Sequence, residues 1–533
     1  MRQARRDSFV RGAVILMVAA LVTRVIGVFQ RLPLYWMIGA EGNGLYTASY
    51  DYYAVVLGLS TSGINVAIAK QVAERMAVGD AAGARRVFRL SAWLMGIVGL
   101  MMSVAFYFAS PFLASRGFGN PAAYLSFVAV VPAIFLVSLM APYRGWFQGV
   151  QVMTPVGASL VVEQLARVVA MLALAYVLLP RGLHWAAAGA ATGAAVGAVA
   201  GLIYLLYAYA RGWLLQTSGS VQAPSLPAPG ESAWSILQQT IRLAVPVSLA
   251  SLMLQLFMLL DTNLVLHRLA VAGFDLKAAT SAFGQLKGPA TVLVNLPTVL
   301  TFAIANALVP AISEARVLGR TDQIQRHAAA AVRMSLWITI PALVGLYLLA
   351  SPIQMLLFHD PGAGAVTRAL AGAAIFLPLQ MTSSAILQGL GRVTAPVWNL
   401  AAGAVVKLVL TWKLTADPSL GVNGAAYATA AGFFVAAALN LSLAQWYVGS
   451  VIEWLNMVIK PCLAATAMGL AVLGTYGWLY GLWPSNTVAT LASIALGVVV
   501  YGLGMGLLGG IRAEDLEAAP GLVRTMRRLG LVR

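Results

Sequence analysis

Ionisable side chains within long apolar runs are the residues of this sequence with the clearest chemical purpose. A charge inside a membrane span is costly, so such a residue is a functional candidate by default. The cations of this kind are Arg24, Arg31, Arg167, Lys287 and Lys407. Guanidinium and ammonium groups pair well with phosphate oxygens. The pattern predicts binding of an anion, with no covalent step.

The acidic residues in the same runs are fewer. They are Asp51, Glu163 and Asp261, and the polar residues Thr291 and Asn295 continue a stripe that begins at Lys287. If these spans surround a common cavity, that cavity carries a net positive charge. A cationic cavity suits a diphosphate and suits cationic drugs poorly.

Several of these residues also fit a structural role. Arg24 and Arg31 are seven residues apart, which predicts one shared helix face. Arg24 fits either an internal ion pair or a headgroup contact, and Arg31 fits either a headgroup contact or snorkelling to the interface. Glu163 and Arg167, four residues apart, either cancel each other's charge or line a gate or cavity.

The motifs of common enzymes are absent from the sequence. There is no phosphate-binding Walker loop, no G-x-S-x-G elbow and no H-E-x-x-H zinc motif. The only cysteine, Cys462, excludes an intrachain disulfide and a cysteine metal cluster. We therefore expect a protein that is not an enzyme and has no cofactor or metal, although a coupling ion, Na⁺ or H⁺, is compatible with transport.

The composition predicts that most of the chain lies in lipid. Apolar residues make up 60% of the chain and charged residues 10%, and the mean hydropathy is +0.83. A soluble domain carries about a quarter charged residues. The net charge of +17 would indicate nucleic acid in a soluble protein. Here most basic residues lie in short loops on one side, so we expect no nucleic-acid partner.

Apolar runs of about 20 residues predict membrane-spanning helices, because lipid offers the backbone no hydrogen-bond partners. The predicted spans are 10–30, 45–69, 88–110, 124–143, 155–179, 185–210, 239–266, 286–312, 329–350, 366–388, 395–414, 422–447, 460–481 and 487–509. Most Lys and Arg residues of the predicted loops lie on the same side of the membrane as both termini. The positive-inside rule therefore predicts that both termini are cytoplasmic.

An internal repeat predicts two similar halves. Phe147-Gln148-Gly149 recurs as Leu387-Gln388-Gly389, and the same spacing carries Arg167 onto Lys407. The predicted fold is an all-α membrane protein of about fourteen helices, with two six-helix lobes in a pseudo-twofold arrangement and two C-terminal helices. The predicted boundaries are 1–216 for the first lobe, 217–235 for a cytoplasmic linker, 236–450 for the second lobe, and 451–533 for helices thirteen and fourteen with a basic tail.

Short ordered motifs across the chain resemble the multidrug/oligosaccharidyl-lipid/polysaccharide exporter superfamily. They include Val22-Thr23-Arg24-Val25-Ile26-Gly27, Arg31-Leu32-Pro33-Leu34, Gly44-Leu45-Tyr46, Phe283-Gly284-Gln285-Leu286 and Ile312-Ser313-Glu314. The resemblance is to the branch of stage V sporulation protein B and the Gram-positive lipid II flippases. It implies two lobes in a V shape, a cationic central cavity and alternating access. It also implies an important role for Arg24, and a groove for a lipid tail along spans thirteen and fourteen.

These observations predict a flippase for lipid II, the undecaprenyl-diphosphate-linked muropeptide, in the cytoplasmic membrane. An exporter of another polyprenyl-linked oligosaccharide is the alternative, and a cation-coupled drug efflux pump fits less well. The expected partners are the polyprenyl-diphosphate-linked sugar, the bilayer, and cell-wall synthesis or sporulation proteins. We expect a monomer.

Overall fold

The computed structural model describes residues 2–217 and 232–510. All regular secondary structure within these ranges is helical. Most of the predicted linker (218–231) and the predicted basic tail (511–533) lie outside the described residues. The α-helices are α1 (Arg2–Phe29), α2 (Arg31–Ala77), α3 (Ala81–Phe112), α4 (Tyr124–Gly149), α5 (Met153–Leu178), α6 (Leu183–Thr217), α7 (Ala233–Val271), α8 (Leu276–Gln285), α9 (Thr291–Val317), α10 (Thr321–Leu348), α11 (Ala350–Phe358), α12 (Ala363–Leu370), α13 (Ala373–Gly389), α14 (Ala395–Leu414), α15 (Val422–Val448), α16 (Lys460–Leu482) and α17 (Asn486–Leu507).

The chain divides into two compact units. Unit 1 comprises Met1–His267 and Asp275–Gly284, and unit 2 comprises Arg268–Phe274 and Gln285–Arg533. Unit 1 therefore holds α1 to α6, most of α7, and α8. Unit 2 holds α9 to α17. The lobe boundaries at 216 and 236 remain a prediction.

Each predicted span overlaps a helix, although several helices are longer than predicted, such as α2, which begins at Arg31 where the predicted span begins at 45. Among the described residues, twelve helical segments are long and apolar enough to cross a membrane, and α12 and α13, bent by 41°, form a thirteenth. The first of the twelve, Val14–Ala77, contains two predicted spans. All fourteen predicted spans are thus accounted for.

Arg24 and Arg31 lie on different helices. The α1 helix ends at Phe29, and α2 begins at Arg31 after a turn at Gln30. Gln30 itself keeps a helical backbone conformation (φ −60°, ψ −25°), so the expectation that the seven-residue spacing gives one shared helix face stays a prediction. A second break follows at Gly39, whose φ of 62° separates the first turns of α2 from its long apolar part.

The backbone of the two units repeats at the spacing that the sequence predicts. Residues with positive φ recur 240 positions later, a conformation that favours glycine and is uncommon for other residues. The pairs are Gly79 with Gly319, Gly119 with His359, and Gln151 with Gly391. Each pair lies in corresponding connections between helices, so the repeat extends to the turns.

The Gln-Gly motif of the repeat has the same packing role in each unit. A Cβ added at Gly149 would lie 2.9 Å from the Ala69 carbonyl oxygen, so α4 meets α2 closely. A Cβ added at Gly389 would lie 3.2 Å from the Val309 carbonyl oxygen, so α13 meets α9. The positions 69 and 309 are again 240 apart. The sequence repeat therefore reflects a repeated helix contact.

A row of glycines brings α6 against α5. A Cβ at Gly193 would lie 2.8 Å from the Arg167 carbonyl oxygen, and one at Gly197 would lie 2.7 Å from the Glu163 carbonyl oxygen. Small residues allow helix backbones to approach closely in a membrane protein. The predicted seam of Gly189, Gly193, Gly197 and Gly201 is therefore a packing surface, and it covers the helix that carries Glu163 and Arg167.

We expect Gly197→Ala to lower the free energy of unfolding by about 1–3 kcal/mol, because the added methyl group would overlap backbone that has no room to shift. The matched control is Gly212→Ala on the same helix, where an added Cβ meets nothing within 4 Å. Thermal unfolding of the purified protein in detergent, followed by tryptophan fluorescence, measures both. Equal melting temperatures for the two variants would contradict this packing.

Candidate functional site

A buried carboxylate in unit 1 is shared by two arginines. Glu163 on α5 accepts a hydrogen bond from Arg167, one turn further along the same helix. Its other oxygen, Oε2, lies 2.7 Å from Nη2 of Arg144 on α4. The Nε of Arg144 also donates to the Ser159 hydroxyl, at 3.2 Å. The three charged side chains thus form one hydrogen-bonded cluster between α4 and α5.

The cluster is shielded from solvent and carries a net positive charge. The exposed fractions of the side chains are 12% for Arg144, 14% for Arg167 and 10% for Glu163. Two guanidinium groups share one carboxylate, so one positive charge remains. Buried ions are tolerated when they are paired and hydrogen-bonded. The arrangement holds a surplus cation within a helical unit at tolerable cost.

The second terminal nitrogen of the Arg167 guanidinium contacts a group of tyrosines on α2. Its Nη1 donates to the Tyr50 hydroxyl at 3.0 Å. The Tyr50 ring lies 5.9 Å from that of Tyr46 and 5.5 Å from that of Tyr53. Tyr46 and Tyr53 are buried. The tyrosines recur at helical spacing, so one face of α2 supplies both rings and a hydroxyl to the cluster.

Two further contacts join α2 to α7 in unit 1. The Thr262 hydroxyl donates to Oδ2 of Asp51 at 2.6 Å, and the Tyr52 hydroxyl donates to Oδ1 of Asn263. Asp261, the residue before Thr262, is buried. The predicted acidic residues Asp51 and Asp261 therefore lie on α2 and α7 of unit 1.

The predicted cations Arg24 and Arg31 are half-buried in unit 1. Arg24 lies on α1, and Arg31 begins α2. Between them, Gln30 accepts a hydrogen bond from Gln164 of α5 at 3.0 Å. Gln164 directly follows Glu163, so the junction of α1 and α2 is fixed to the helix that carries the ion-pair cluster.

Lys407 is the most deeply buried of the predicted cations. Its exposed fraction is 0%, and it lies on α14 in unit 2. Gly403 and Thr411 on the same helix, and Thr415 directly after its end, are buried at four-residue spacing from Lys407. Among the described residues, the hydroxyls of Thr411 and Thr415 have no hydrogen-bond partner. Lys407 therefore belongs to a buried polar stripe.

A chain of amide hydrogen bonds extends from the same helix. Asn399 Nδ2 on α14 donates to Asn440 Oδ1 on α15 at 2.8 Å, and Asn440 Nδ2 donates to Ser384 Oγ on α13 at 3.0 Å. The Gln380 amide also donates to Ser384, at 3.1 Å. Asn399 and Lys407 both lie on α14, so this network of hydrogen bonds connects the helix that carries Lys407 to α15 and α13.

The stripe predicted from Lys287 begins in a buried turn of unit 2. Lys287 is 5% exposed and lies in the π-helical turn Leu286–Ala290, just before α9. The hydroxyls of Thr291 and Thr298 donate to carbonyls of the same segment, both at 2.6 Å. Asn295, between them, is half-buried. The two threonines thus satisfy their own hydroxyls locally.

Of the predicted residues, the structure brings Glu163 and Arg167 into direct contact. Two partners of this pair were missed by sequence reasoning. The predicted span 124–143 leaves Arg144 in a loop, because the apolar run ends near 143. In the structure α4 continues to Gly149 and includes Arg144. Tyr50 could have been found, because Tyr46, Tyr50 and Tyr53 follow helical spacing in a predicted span. The role of the predicted residues in binding remains a prediction.

Comparison with known proteins identifies the family. The family described as polysaccharide biosynthesis protein matches residues 9–316, more than half of the chain. The chain belongs to the polysaccharide biosynthesis protein family. The chain is 27% identical to stage V sporulation protein B of Bacillus subtilis (strain 168), over 98% of this chain and 100% of the relative. It is 26% identical to lipid II flippase MurJ of the same organism, again over 98% and 100%.

A solved structure gives the fold. The structure titled lipid II flippase MurJ, inward closed conformation, matches with a TM-score of 0.70 at 14% identity, covering 93% of this chain and 98% of that chain. The predicted resemblance to the multidrug/oligosaccharidyl-lipid/polysaccharide exporter superfamily is confirmed. This member of the polysaccharide biosynthesis protein family is a multi-pass membrane protein.

We expect Glu163→Gln to destabilise unit 1 by about 3–5 kcal/mol, because it leaves two buried guanidinium groups without a counter-charge. The double variant Glu163→Gln/Arg144→Gln removes one of those charges and is expected to recover part of the loss, with a coupling energy of about 1–3 kcal/mol. Thermal unfolding of wild type, both single variants and the double variant measures this cycle. Strictly additive effects would show that the two residues do not interact.

Proposed function

We propose that this protein is a flippase that moves lipid II, the undecaprenyl-diphosphate-linked muropeptide, from the cytoplasmic to the outer leaflet by alternating access. The supporting observation is similarity along the whole chain to a protein named lipid II flippase MurJ. The buried cations provide the physical reason. Among the described residues, the cations with at most 14% exposure outnumber Glu163 and Asp261; they are Arg144, Arg167, Lys287, Arg333 and Lys407.

The diphosphate is the part of the substrate that these cations fit. A long polyprenyl tail is apolar and stays in lipid, whereas the charged headgroup needs shelter from the hydrocarbon. We propose that Arg167 and Lys407, at equivalent positions of the internal repeat, stabilise the diphosphate during the transport cycle, together with Arg24, Arg31 and Lys287. No bond of the substrate is made or broken, so the proposed activity is transport.

The membrane potential favours this direction of movement. With both termini in the cytoplasm, as the loop charges predict, the headgroup leaves a compartment that is electrically negative. An anion moving outward gains about 2.3 kcal/mol per charge for each 100 mV. Return of the empty protein moves its positive charges toward the negative side, which the same field also favours. We propose in addition that a coupling ion, Na⁺ or H⁺, accompanies the cycle.

An exporter of another polyprenyl-linked oligosaccharide is the second candidate. It is favoured by the match to the polysaccharide biosynthesis protein family, and its substrate would present the same diphosphate to the same cations. A drug efflux pump for cations fits less well, because the surplus of buried positive charge repels such cargo.

Reconstitution of the full chain in liposomes separates these candidates. Fluorescent lipid II and a fluorescent polyprenyl-diphosphate glycan of different sugar composition are each placed in the inner and outer leaflets. We expect protein-dependent leaflet crossing of lipid II, measured by dithionite quenching and compared with protein-free liposomes. Crossing of the second glycan alone would establish the exporter and overturn lipid II as the cargo.

Replacing the buried lysine tests the proposed recognition of the headgroup. We expect Lys407→Gln to slow lipid II crossing by about tenfold or more, because it removes a charge-assisted hydrogen bond to the diphosphate. Lys413→Gln on the same helix is the matched control, because Lys413 is exposed. Lys407→Arg restores the charge and should recover part of the rate. Equal rates for Lys407→Gln and wild type, with both proteins folded, would contradict the assignment.

A further inference from the structure

A cleft opens in unit 1 at the ends of α4 and α6, away from the charged cluster. Its volume is about 300 Å³. The cleft is lined by Trp146 and Phe147 of α4, which are buried, and by tyrosines of α6. Val152, directly before α5, and Pro155 of α5 also line it. None of these residues takes part in the proposed transport chemistry.

The mouth of the cleft is basic. Arg211 lines it, and its Nη1 donates to the Tyr207 hydroxyl at 3.2 Å. Arg85 and Arg89 lie on α3 within one turn of Phe88, whose ring stacks on that of Tyr209, another lining residue, with ring centroids 5.0 Å apart. Exposed guanidinium groups of this kind attract a phosphate. The cleft therefore combines an aromatic interior with a positively charged rim.

An exposed apolar strip leads away from the cleft along α6. Its members recur at three- and four-residue spacing, so they follow one helix face. They are Val196, Val199, Ile203, Leu206 and Tyr207, with exposed fractions of 39% to 60%. Tyr207 belongs to both the strip and the cleft. A single ligand could thus place a charged head at Arg211 and an apolar chain along α6.

The equivalent place in unit 2 is filled by the chain itself. By the 240-residue repeat, Trp146, Phe147 and Tyr204 correspond to Ile386, Leu387 and Ala444. These aliphatic side chains are buried in one cluster with Val451 and Met457, from the segment that leads into α16. In unit 1, Trp146 and Phe147 likewise belong to a buried apolar cluster, with Tyr209 packed against it. Unit 1 differs in carrying tyrosines and the exposed Arg211 at the edge of this cluster, where they line a cleft that an external ligand can enter.

We propose that this cleft binds an anionic glycerophospholipid. The phosphate contacts Arg211, with Arg85 and Arg89 adding long-range attraction, and the glycerol backbone packs on the tyrosine and tryptophan rings. One acyl chain follows the exposed strip of α6. Basic pockets between membrane helices bind anionic headgroups in this way, and aromatic rings favour the headgroup level of the bilayer. A zwitterionic lipid has a compensating positive charge and gains less.

Native mass spectrometry of the full-length protein in detergent tests the site. Phosphatidylglycerol and phosphatidylcholine with identical acyl chains are the probes. We expect phosphatidylglycerol to bind more tightly, and Arg211→Gln to weaken its binding by about tenfold, with phosphatidylcholine binding unchanged. Arg320→Gln, an exposed arginine of unit 2 with the same change of charge, should bind phosphatidylglycerol as wild type does.

A photo-crosslinking residue in place of Tyr207 identifies the occupant in a bilayer of both lipids. We expect adducts with phosphatidylglycerol, and fewer of them when Arg211→Gln is added. Two results would overturn the proposal. One is equal binding of both lipids by wild type, and the other is crosslinking to the chain's own residues in place of lipid. Lipid II crossing is a separate measurement, so failure here leaves the proposed function intact.

Discussion

The pairing of buried charge is the constraint on which the rest of this structure depends. In a medium without water, a guanidinium group needs a carboxylate or several hydrogen-bond acceptors. Glu163 meets this need for Arg144 and Arg167 together, and Tyr50 takes a further hydrogen bond from Arg167. One carboxylate for two cations leaves a positive charge that is stably held, which is the property needed to receive an anion.

Helix packing determines where that charge is held. The glycines of α6 allow its backbone to reach the carbonyl oxygens of Glu163 and Arg167, so the cluster lies beneath a close helix contact. In unit 2, Gly403 allows α14 to approach α15 closely. A Cβ added at Gly403 would lie 2.4 Å from the Gly432 carbonyl oxygen on α15. Lys407 lies one turn beyond Gly403. Both cations of the repeated pair are therefore positioned by glycine contacts.

The sequence predicted the helices well, because lipid leaves the backbone few alternatives. The repeat was also readable, since Gln148-Gly149 and Gln388-Gly389 occupy equivalent helix contacts. Side-chain partners were harder to predict. The predicted span 124–143 stops one residue before Arg144, because the end of an apolar run need not be the end of the helix. The sequence therefore does not predict this second partner of Glu163, although α4 continues to Gly149.

The central claim is that surplus buried positive charge is what recognises the cargo. The most direct measurement compares the affinities of undecaprenyl diphosphate and uncharged undecaprenol for the purified protein, because the two share a tail and differ only in the diphosphate. The account predicts at least about tenfold tighter binding of the diphosphate, with the advantage lost when Arg167→Gln and Lys407→Gln are combined. Equal affinities for the two lipids in the wild-type protein would contradict it.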